Sequence, residues 1–317
     1  MTKRAKSIIA IVGAVCMVLS VFLGVLSAKA VSGFYFGEEI NIASLDDVQS
    51  SRVGVVNFLL LGVDKGGLRS DTIMLVSLNG KTKEVNVLSI PRDTRVPFGS
   101  NYYKINAAIG IGEQEVRKGK LEAPEEATIQ KVKMLTGMPI HYFMTIDFDA
   151  FIDIIDILGG VDFEVPFNMV YNDPAQNLHI NLKAGMQHLN GKQSHDFVRF
   201  RKGDPGYKGY ATGDLGRIEA QQAFMRALAE QKLKPQYLLK ATELFGAIKE
   251  NVRTNYSAKD LLKHLGIIKD LKGENFTMHQ LPGYTKTIGG QSFVICDEAA
   301  TSKLVSEYFY PEINENK

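Results

Sequence analysis

Two short segments carry a carboxylate beside an arginine. Asp71 lies in the run Arg-Ser-Asp-Thr, and Asp93 lies in Pro-Arg-Asp-Thr, where Arg92 directly precedes it. Two carboxylates that are brought together repel each other unless a cation joins them. A hard divalent ion such as Mg²⁺ binds carboxylate oxygens together with the phosphate oxygens of a substrate. The alternative is that neighbouring arginines simply form surface ion pairs with these residues. Spacing alone leaves both interpretations open.

A second group of charged residues precedes and begins a long predicted helix. Arg199 and Arg201 stand at i and i+2, which places them on one face if the backbone is extended. Asp214, Arg217 and Gln221 stand at i, i+3 and i+7, so they share one face near the helix start. Guanidinium groups bind phosphate through paired hydrogen bonds, and helix N-termini favour anions. Asp214 has a second explanation as the N-cap of that helix.

The arginines of the chain are concentrated in these two regions. Of its 11 arginines, six belong to the two groups: Arg69, Arg92, Arg95, Arg199, Arg201 and Arg217. Scattered surface ion pairs do not require such a concentration, whereas a multiply charged anion such as pyrophosphate does. The net charge is only +2, so bulk electrostatics gives no reason to expect a nucleic-acid partner. We therefore predict a local diphosphate site.

Strand patterns flank the acidic residues. Apolar, β-rich runs predict three early strands, at 55–63, 72–78 and 85–90. The dipeptide at 79–80, Asn-Gly, predicts a hairpin between the second and the third. If the turn is centred near Lys81, Asp71 falls opposite Pro91, and Asp71 and Asp93 leave the sheet at the same end.

Helix and strand patterns then alternate without a regular βαβ rhythm. Helices are predicted at 105–118, 124–136, 148–158, 215–233, 236–250 and 257–271, with a closing helix near the C-terminus. Further strands are predicted at 140–146, 161–165, 168–172, 178–182, 276–281 and 291–296. The pattern predicts an α/β fold whose central mixed sheet is sandwiched between helices.

The N-terminal segment has the length and charge pattern of a membrane anchor. Residues 7–28 carry no formal charge, and as a helix they span about 33 Å, enough for a bilayer core of about 30 Å. Three basic residues precede them, which keeps that end in the cytoplasm. A cleaved signal peptide is the alternative. We expect a cytoplasmic stub at 1–6, a transmembrane signal-anchor helix at 7–28, a stalk at 29–52 and an extracellular catalytic domain at 53–317.

Several segments, taken in order, make the sequence recognisable. NFLLLGVD, RSDTIMLVSLN, VNVLSIPRDTRV and KINAA are followed by LGGVDFEVP, GKQSHDFVRFRKGDP and GDLGRIEAQQ. Together they resemble the LytR–CpsA–Psr family over about residues 55–232. The resemblance implies an αβα sandwich and a transferase that moves a glycopolymer from a polyprenyl (undecaprenyl) pyrophosphate carrier to peptidoglycan.

The resemblance also implies roles for the charged residues. Asp71 and Asp93 are expected to help hold Mg²⁺ (or Mn²⁺) at the lipid pyrophosphate. The expected pyrophosphate-binding residues are Arg92, Arg199, Arg201 and Arg217, oriented by Asp214 with Gln221 nearby, and Lys104, Arg69 and Arg95 as further basic residues of the head-group site. The chain departs from the family pattern at 203–213, where a longer loop is expected to alter access of the acceptor or the polymer.

An apolar tunnel for the isoprenoid tail is a further implication of the resemblance. The candidate lining residues are Phe143, Phe148, Phe151, Ile152, Ile155 and Phe163. Ordinary core packing is the alternative for each of them, since sequence does not separate a tunnel wall from a core.

The implied reaction is phosphoryl transfer. A peptidoglycan hydroxyl, in the family the C6 hydroxyl of N-acetylmuramic acid, attacks the phosphorus that carries the glycan, and polyprenyl phosphate leaves. The sequence does not distinguish teichoic acid from a capsular polysaccharide or another glycan. Two alternatives are kept: a hydrolase that cleaves the same lipid-linked substrate with water, and a non-enzymatic regulator of the cell envelope.

Overall fold

The structure is a computed structural model of the 317-residue chain. It describes residues 42, 44–46, 54–64, 66–174, 178–211, 214–232, 252–256, 260, 264 and 275–310. The predicted membrane helix at 7–28, the stub before it and the helix expected at 236–250 lie outside these residues, as does most of the stalk and of the helix at 257–271. Within the described part, no helix is both long and apolar enough to cross a bilayer.

The structure contains each predicted strand, and it adds five strands and one helix that the sequence patterns did not predict. The strands are β1 (Val55–Val63), β2 (Ser70–Asn79), β3 (Val85–Ser89), β4 (Arg95–Phe98), β5 (Asn101–Lys104), β6 (Tyr142–Ile146), β7 (Val161–Val165), β8 (Met169–Asp173), β9 (Leu178–Leu182), β10 (Gly185–Leu189), β11 (Val252–Thr254), β12 (Phe276–Gln280), β13 (Gly283–Ile288) and β14 (Gln291–Cys296). The α-helices are α1 (Ala108–Arg117), α2 (Glu125–Thr136), α3 (Phe148–Ile157), α4 (Gly191–Arg199), α5 (Asp214–Lys232) and α6 (Glu298–Leu304), with helical turns at Ile105–Ala107 and Val305–Phe309.

The chain divides into two compact units. The sheet unit comprises the described residues within Tyr35–Asp147, Val252–Ser257 and Asn275–Lys317. The helical unit comprises those within Phe148–Asn251 and Ala258–Glu274.

A six-stranded sheet, in the order β11-β6-β1-β2-β3-β12, is the centre of the sheet unit. The pairs β1–β6 and β3–β12 are parallel and the other pairs are antiparallel, so the sheet is mixed. Its strands are apolar because they are buried: Leu59 and Leu75 are fully covered. Residues of α1 and α2, among them Ile109 and Ile129, join the same core. The predicted α/β class and the central mixed sheet are confirmed, and the αβα layering stays a prediction.

The β2–β3 hairpin differs from the prediction by one residue in register. Leu78 pairs with Val85, and the Ile90 N–H donates to the Ile73 carbonyl at 2.9 Å. Continued outward, this register brings Asp71 opposite Arg92 and not opposite Pro91. The turn is one residue longer than expected because the Asn79 side chain accepts backbone N–H groups from within the connection.

The described part of the helical unit includes two small sheets and the helices α3, α4 and α5. The strand β10 pairs with β7, and β8 pairs with β9. The α4 helix begins at a capping box formed by Asn190 and Gln193. The aromatic core of the helical unit includes Phe163, Phe197 and Phe224, whose ring centroids lie 4.7 to 5.7 Å apart. Such contacts tie α4 and α5 to β7.

Candidate functional site

The candidate site of the sheet unit is built on a tight turn after β3, residues 91–94. The Thr94 N–H and the Thr94 hydroxyl both donate to the Pro91 carbonyl, at 2.9 and 2.6 Å. Thr94 is completely buried. Arg92 and Asp93 are therefore the two central residues of the 91–94 turn, and their side chains leave it in fixed directions.

Neighbouring segments hold the main chain of the 91–94 turn. The Asn106 N–H donates to the Arg92 carbonyl at 3.1 Å, and the Ile105 N–H donates to the Thr94 carbonyl at 2.8 Å. From β14, the Val294 N–H donates to the Asp93 carbonyl at 2.9 Å. Because each of these carbonyls has a partner, the turn is rigid, which is what a binding site built on a loop needs.

Two ion pairs join the charged side chains of the turn to neighbouring strands of the sheet unit. Arg92 Nη1 lies 3.0 Å from Asp71 Oδ1, and Lys104 Nζ lies 2.8 Å from Asp93 Oδ1. The four side chains are 30 to 40% exposed, so these pairs add little to the stability of the fold. Arg92 is thus the ion-pair partner of Asp71, as the surface-pair alternative predicted, and Lys104 is the partner of Asp93.

The two carboxylates offer the donor chemistry that a hard cation takes. Each ion pair is formed through Oδ1, and both side chains are accessible to solvent. No group of three or more His, Cys, Asp or Glu side chains that could hold a metal ion occurs in the described part of the chain. Mg²⁺ commonly takes one or two carboxylates and completes its shell with water and substrate phosphate. Asp71 and Asp93 therefore fit an ion that is shared with a phosphate substrate.

The remaining basic candidates of the sheet unit are Arg95, in the β4–β5 hairpin, and Arg69, directly before β2. Arg95 and Lys104 are cross-strand partners in the β4–β5 hairpin. The Arg95 guanidinium carbon lies 3.4 Å from the centroid of the Tyr102 ring. Arg69 ends the connection between β1 and β2, where its N–H donates to Asp64 Oδ1 at 3.1 Å, and its side chain is exposed.

In the helical unit, Arg199 and Arg201 do not lie on an extended segment. Arg199 is the last residue of α4, and only the following Phe200 is extended, with φ −62° and ψ 129°. The expectation that the two arginines share a strand face is wrong, because the capping box at Asn190 nucleates a helix that continues to Arg199. The Arg199 guanidinium lies 5.1 Å from the centroid of the Phe148 ring, and Arg201 is exposed.

The α5 helix carries the other three candidates of the helical unit. It begins at Asp214, one residue before the predicted start, and Arg217 is partly buried in its first turn. The side chains of Asp214 and Gln221 lie outside the described part of the structure.

The long loop before α5 is mostly exposed in its described portion, but Asp204 and Tyr210 attach it to the helical unit. The Asp204 N–H donates to the Val170 carbonyl of β8 at 2.9 Å. The Tyr210 ring lies 5.3 Å from Phe167 and 5.8 Å from Phe200. Burial raises the pKa of the Tyr210 hydroxyl above its ordinary value. Tyr210, one of the residues that distinguish this loop from the family pattern, therefore packs against aromatic rings of the helical unit.

Comparison with known proteins identifies the family. The sequence profile of the LytR_cpsA_psr family matches residues 37–308. The chain belongs to this family. The predicted family is confirmed by a match that extends beyond the motifs at both ends.

Relatives of known name are transferases. TagV of Bacillus subtilis, a polyisoprenyl-teichoic acid–peptidoglycan teichoic acid transferase, is 35% identical over 192 residues, which cover 59% of this chain and 45% of TagV. TagU of Oceanobacillus iheyensis, which has the same activity in its name, is 32% identical over 259 residues, covering 80% and 74%. The crystal structure of B. subtilis TagV matches with a TM-score of 0.61 at 27% identity, covering 82% of this chain and 98% of that one. The predicted enzyme class, a transferase, agrees with these names.

The candidate lipid-tail residues of this family member fall in both units. Phe143 and Ile155 are fully buried, each within the core of its own unit. The other four are partly exposed members of the helical unit: Phe148, Phe151, Ile152 and Phe163. Core packing accounts for Phe143 and Ile155, and partial exposure keeps the other four as tunnel candidates.

The residues that hold the 91–94 turn and Arg95 in place were not predicted from the sequence. Thr94, Asn106 and Val294 fix the 91–94 turn, and Tyr102 covers Arg95. Thr94 and Asn106 lie inside the recognised motifs PRDT and KINAA, so the motif itself was the available signal for them. Val294 has no such signal, because its contact is made by a backbone N–H.

Proposed function

We propose that this protein transfers a teichoic acid or a related glycopolymer from a polyprenyl diphosphate carrier to peptidoglycan. The activity in the names of its relatives supports the reaction class. The structural observation that carries the proposal is the rigid 91–94 turn, which presents Arg92 beside Asp71 and Asp93 beside Lys104. Cationic and anionic groups alternate there in the manner that a metal-assisted diphosphate site requires.

The acidic pair and the basic residues have complementary parts in this proposal. Asp71 and Asp93 would hold Mg²⁺ or Mn²⁺, and the bound ion would neutralise charge on the diphosphate. Arg92 and Lys104 bind diphosphate oxygens directly, with Arg69 and Arg95 as further cations. For the charged and polar candidates of the helical unit, the family resemblance supports a role in binding pyrophosphate: Arg199, Arg201, Arg217, Asp214 and Gln221.

The chemical step is a displacement at phosphorus. The hydroxyl oxygen of the acceptor sugar, proposed to be that of N-acetylmuramic acid, forms a bond to the phosphorus that carries the glycan. The bond from that phosphorus to the bridging oxygen breaks, and polyprenyl phosphate leaves with the electron pair. The hydroxyl proton passes to a base that the proposal does not assign. Positioning and charge neutralisation by the arginines supply most of the acceleration.

The proposed location is the outer face of the cell membrane. The uncharged segment at 7–28 and the basic residues before it support an anchor with the rest of the chain outside. The carrier lipid is a membrane component, so an anchored enzyme meets it at high local concentration. We propose that the partly exposed apolar residues of the helical unit contact its tail.

The test uses the full chain in detergent with lipid-linked teichoic acid, with and without purified peptidoglycan. A transferase attaches polymer covalently to peptidoglycan and releases polyprenyl phosphate only when peptidoglycan is present. Release that does not depend on the acceptor would identify the hydrolase instead. If neither product forms in cells or in vitro, while loss of the protein alters envelope gene expression, the regulator alternative is correct.

A further inference from the structure

An exposed tyrosine lies on the face of the β4–β5 hairpin that carries the site cations. Directly paired residues of an antiparallel hairpin point to the same side, so Arg95 and Lys104 share a face with the pair Pro97 and Tyr102. The opposite face is the packed one, because it carries the fully buried Val96. Tyr102 is 51% exposed, although its ring is large and apolar.

The ring of Tyr102 is held in place from one side. The Arg95 guanidinium lies 3.4 Å from its centroid and covers one π-face. About half of the side chain is nevertheless open to solvent, since Tyr102 is 51% exposed. A rigid, half-covered aromatic ring loses little conformational entropy when a ligand stacks on it.

The distance between Tyr102 and the residues that contact Asp93 limits the size of a ligand that could reach both. Lys104 bonds to Asp93 at 2.8 Å, and Tyr102 is two residues from Lys104 along β5, about 7 Å away. That separation is comparable to the length of one pyranose unit. The C–H face of a pyranose is apolar and packs on an aromatic ring, while its hydroxyls stay in water.

We propose that Tyr102 is the stacking residue for a sugar of the acceptor glycan of peptidoglycan, an inference that rests on the proposed function. The donor is bound through its diphosphate and its lipid tail. The peptidoglycan glycan has no phosphate and no lipid, so stacking and hydrogen bonds at such a surface are the contacts its sugars can make. Continuity with Asp93 and Lys104 places the stacked sugar beside the reacting phosphorus.

The experiment measures binding of soluble peptidoglycan glycan strands, freed of teichoic acid, to the full chain without donor lipid. Tyr102→Ala should weaken binding by about tenfold, as expected for loss of one stacked ring. Tyr102→Phe should bind as the wild type does, because the ring is kept. Tyr284→Ala is the matched control, since Tyr284 is 59% exposed on the β13–β14 hairpin of the same unit.

Three results would overturn the inference. In the first, Tyr102→Ala and Tyr102→Gln keep the wild-type melting temperature and bind the glycan as tightly as the wild type does. Alternatively, Tyr102→Phe loses as much as Tyr102→Ala, which assigns the effect to the hydroxyl. In the third, Tyr102→Ala weakens binding of polyprenyl diphosphate and leaves glycan binding unchanged. Because glycan binding is read without transfer, a wild type that binds the glycan but transfers no polymer would contradict only the proposed function.

Discussion

The charged residues after β3 and those after α4 are positioned by different means. In the 91–94 turn, three neighbouring backbone N–H groups fix the carbonyls, so Arg92 and Asp93 project from a rigid main chain. Arg199 and Arg201 lie where α4 ends, and Arg199 is positioned by its own long side chain over the Phe148 ring. In the turn the charged groups lie close to a hydrogen-bonded backbone, whereas at the end of α4 the Arg199 guanidinium extends from the helix on a long side chain.

The difference matches the chemistry proposed for each region. Carboxylates that hold a small divalent ion must be placed within a few tenths of an ångström, because the ion tolerates little variation in distance. Guanidinium groups that bind a diphosphate can approach from several directions and still form paired hydrogen bonds. Substitutions in the turn should therefore be more damaging than substitutions of equal size at the end of α4.

The largest effect is expected for Asp93→Asn. The side chain keeps its size and loses the charge, so transfer of polymer to peptidoglycan should fall at least about a hundredfold while the melting temperature stays near the wild-type value. The control is Glu113→Gln, which removes a comparably exposed carboxylate paired with Arg117 at 3.2 Å. Wild-type transfer by Asp93→Asn would remove the 91–94 turn from the site.

Removal of divalent ions should have the next largest effect. A chelator should lower wild-type transfer at least about tenfold, and added Mg²⁺ or Mn²⁺ should restore it. In Asp93→Asn the chelator should produce a much smaller relative loss, because the metal is already poorly held. If the chelator does not affect transfer, Asp71 and Asp93 do not hold a metal ion, and they serve only as the ion-pair partners of Arg92 and Lys104.

Arg199→Lys should lower transfer by about tenfold. Lysine keeps the charge but cannot form the paired hydrogen bonds of a guanidinium. The matched control is Arg117→Lys in α1, an exposed surface position that should show no change. If Arg199→Lys is as damaging as Asp93→Asn, the proposed contrast between the two regions is wrong.

A smaller effect is expected for Thr94→Val, which tests the rigidity of the turn directly. The change deletes the 2.6 Å hydrogen bond to the Pro91 carbonyl but keeps the shape of the side chain. The free energy of unfolding should fall by about 1 kcal/mol in urea denaturation, and transfer should fall about threefold if the turn loosens. Thr82→Val, in the exposed β2–β3 connection, should change neither quantity.

The smallest effect is expected for Tyr210→Phe. The Tyr210 hydroxyl is buried and has no hydrogen-bond partner among the described residues. Removing it should leave transfer unchanged and raise the free energy of unfolding by up to about 1 kcal/mol. A clear loss of stability would mean that the hydroxyl has a partner and that the loop is held by more than ring packing.

Local patterns predicted the strands that build the sheet and the motifs that mark the site. The runs at 55–63 and 72–78 became β1 and β2 because a central strand has to be apolar. The predicted β2–β3 register was wrong by one residue, because the length of the turn depends on the hydrogen bonds that the Asn79 side chain accepts within it. The hairpin of β4 and β5 was missed because four-residue strands show too few alternations for a pattern.

The site was predicted as a set of residues and not as an arrangement. Asp71 and Arg92 were both predicted site residues. Their ion pair follows from the observed β2–β3 register, which differs by one residue from the predicted register. The contact of the Val294 N–H with Asp93 joins distant parts of the chain through the backbone, which leaves no trace in side-chain identity. The same is true of the helical backbone at Arg199, which the interpretation as an extended segment missed.

The central proposal is that the 91–94 turn binds the diphosphate of the carrier lipid. The most direct test is the dissociation constant of a short polyprenyl diphosphate, measured with Mg²⁺ by calorimetry for the wild type, Arg92→Ala and, as a control, the exposed Arg117→Ala. We predict that Arg92→Ala weakens binding at least about tenfold and that Arg117→Ala leaves it unchanged. Wild-type affinity in Arg92→Ala would contradict the proposal.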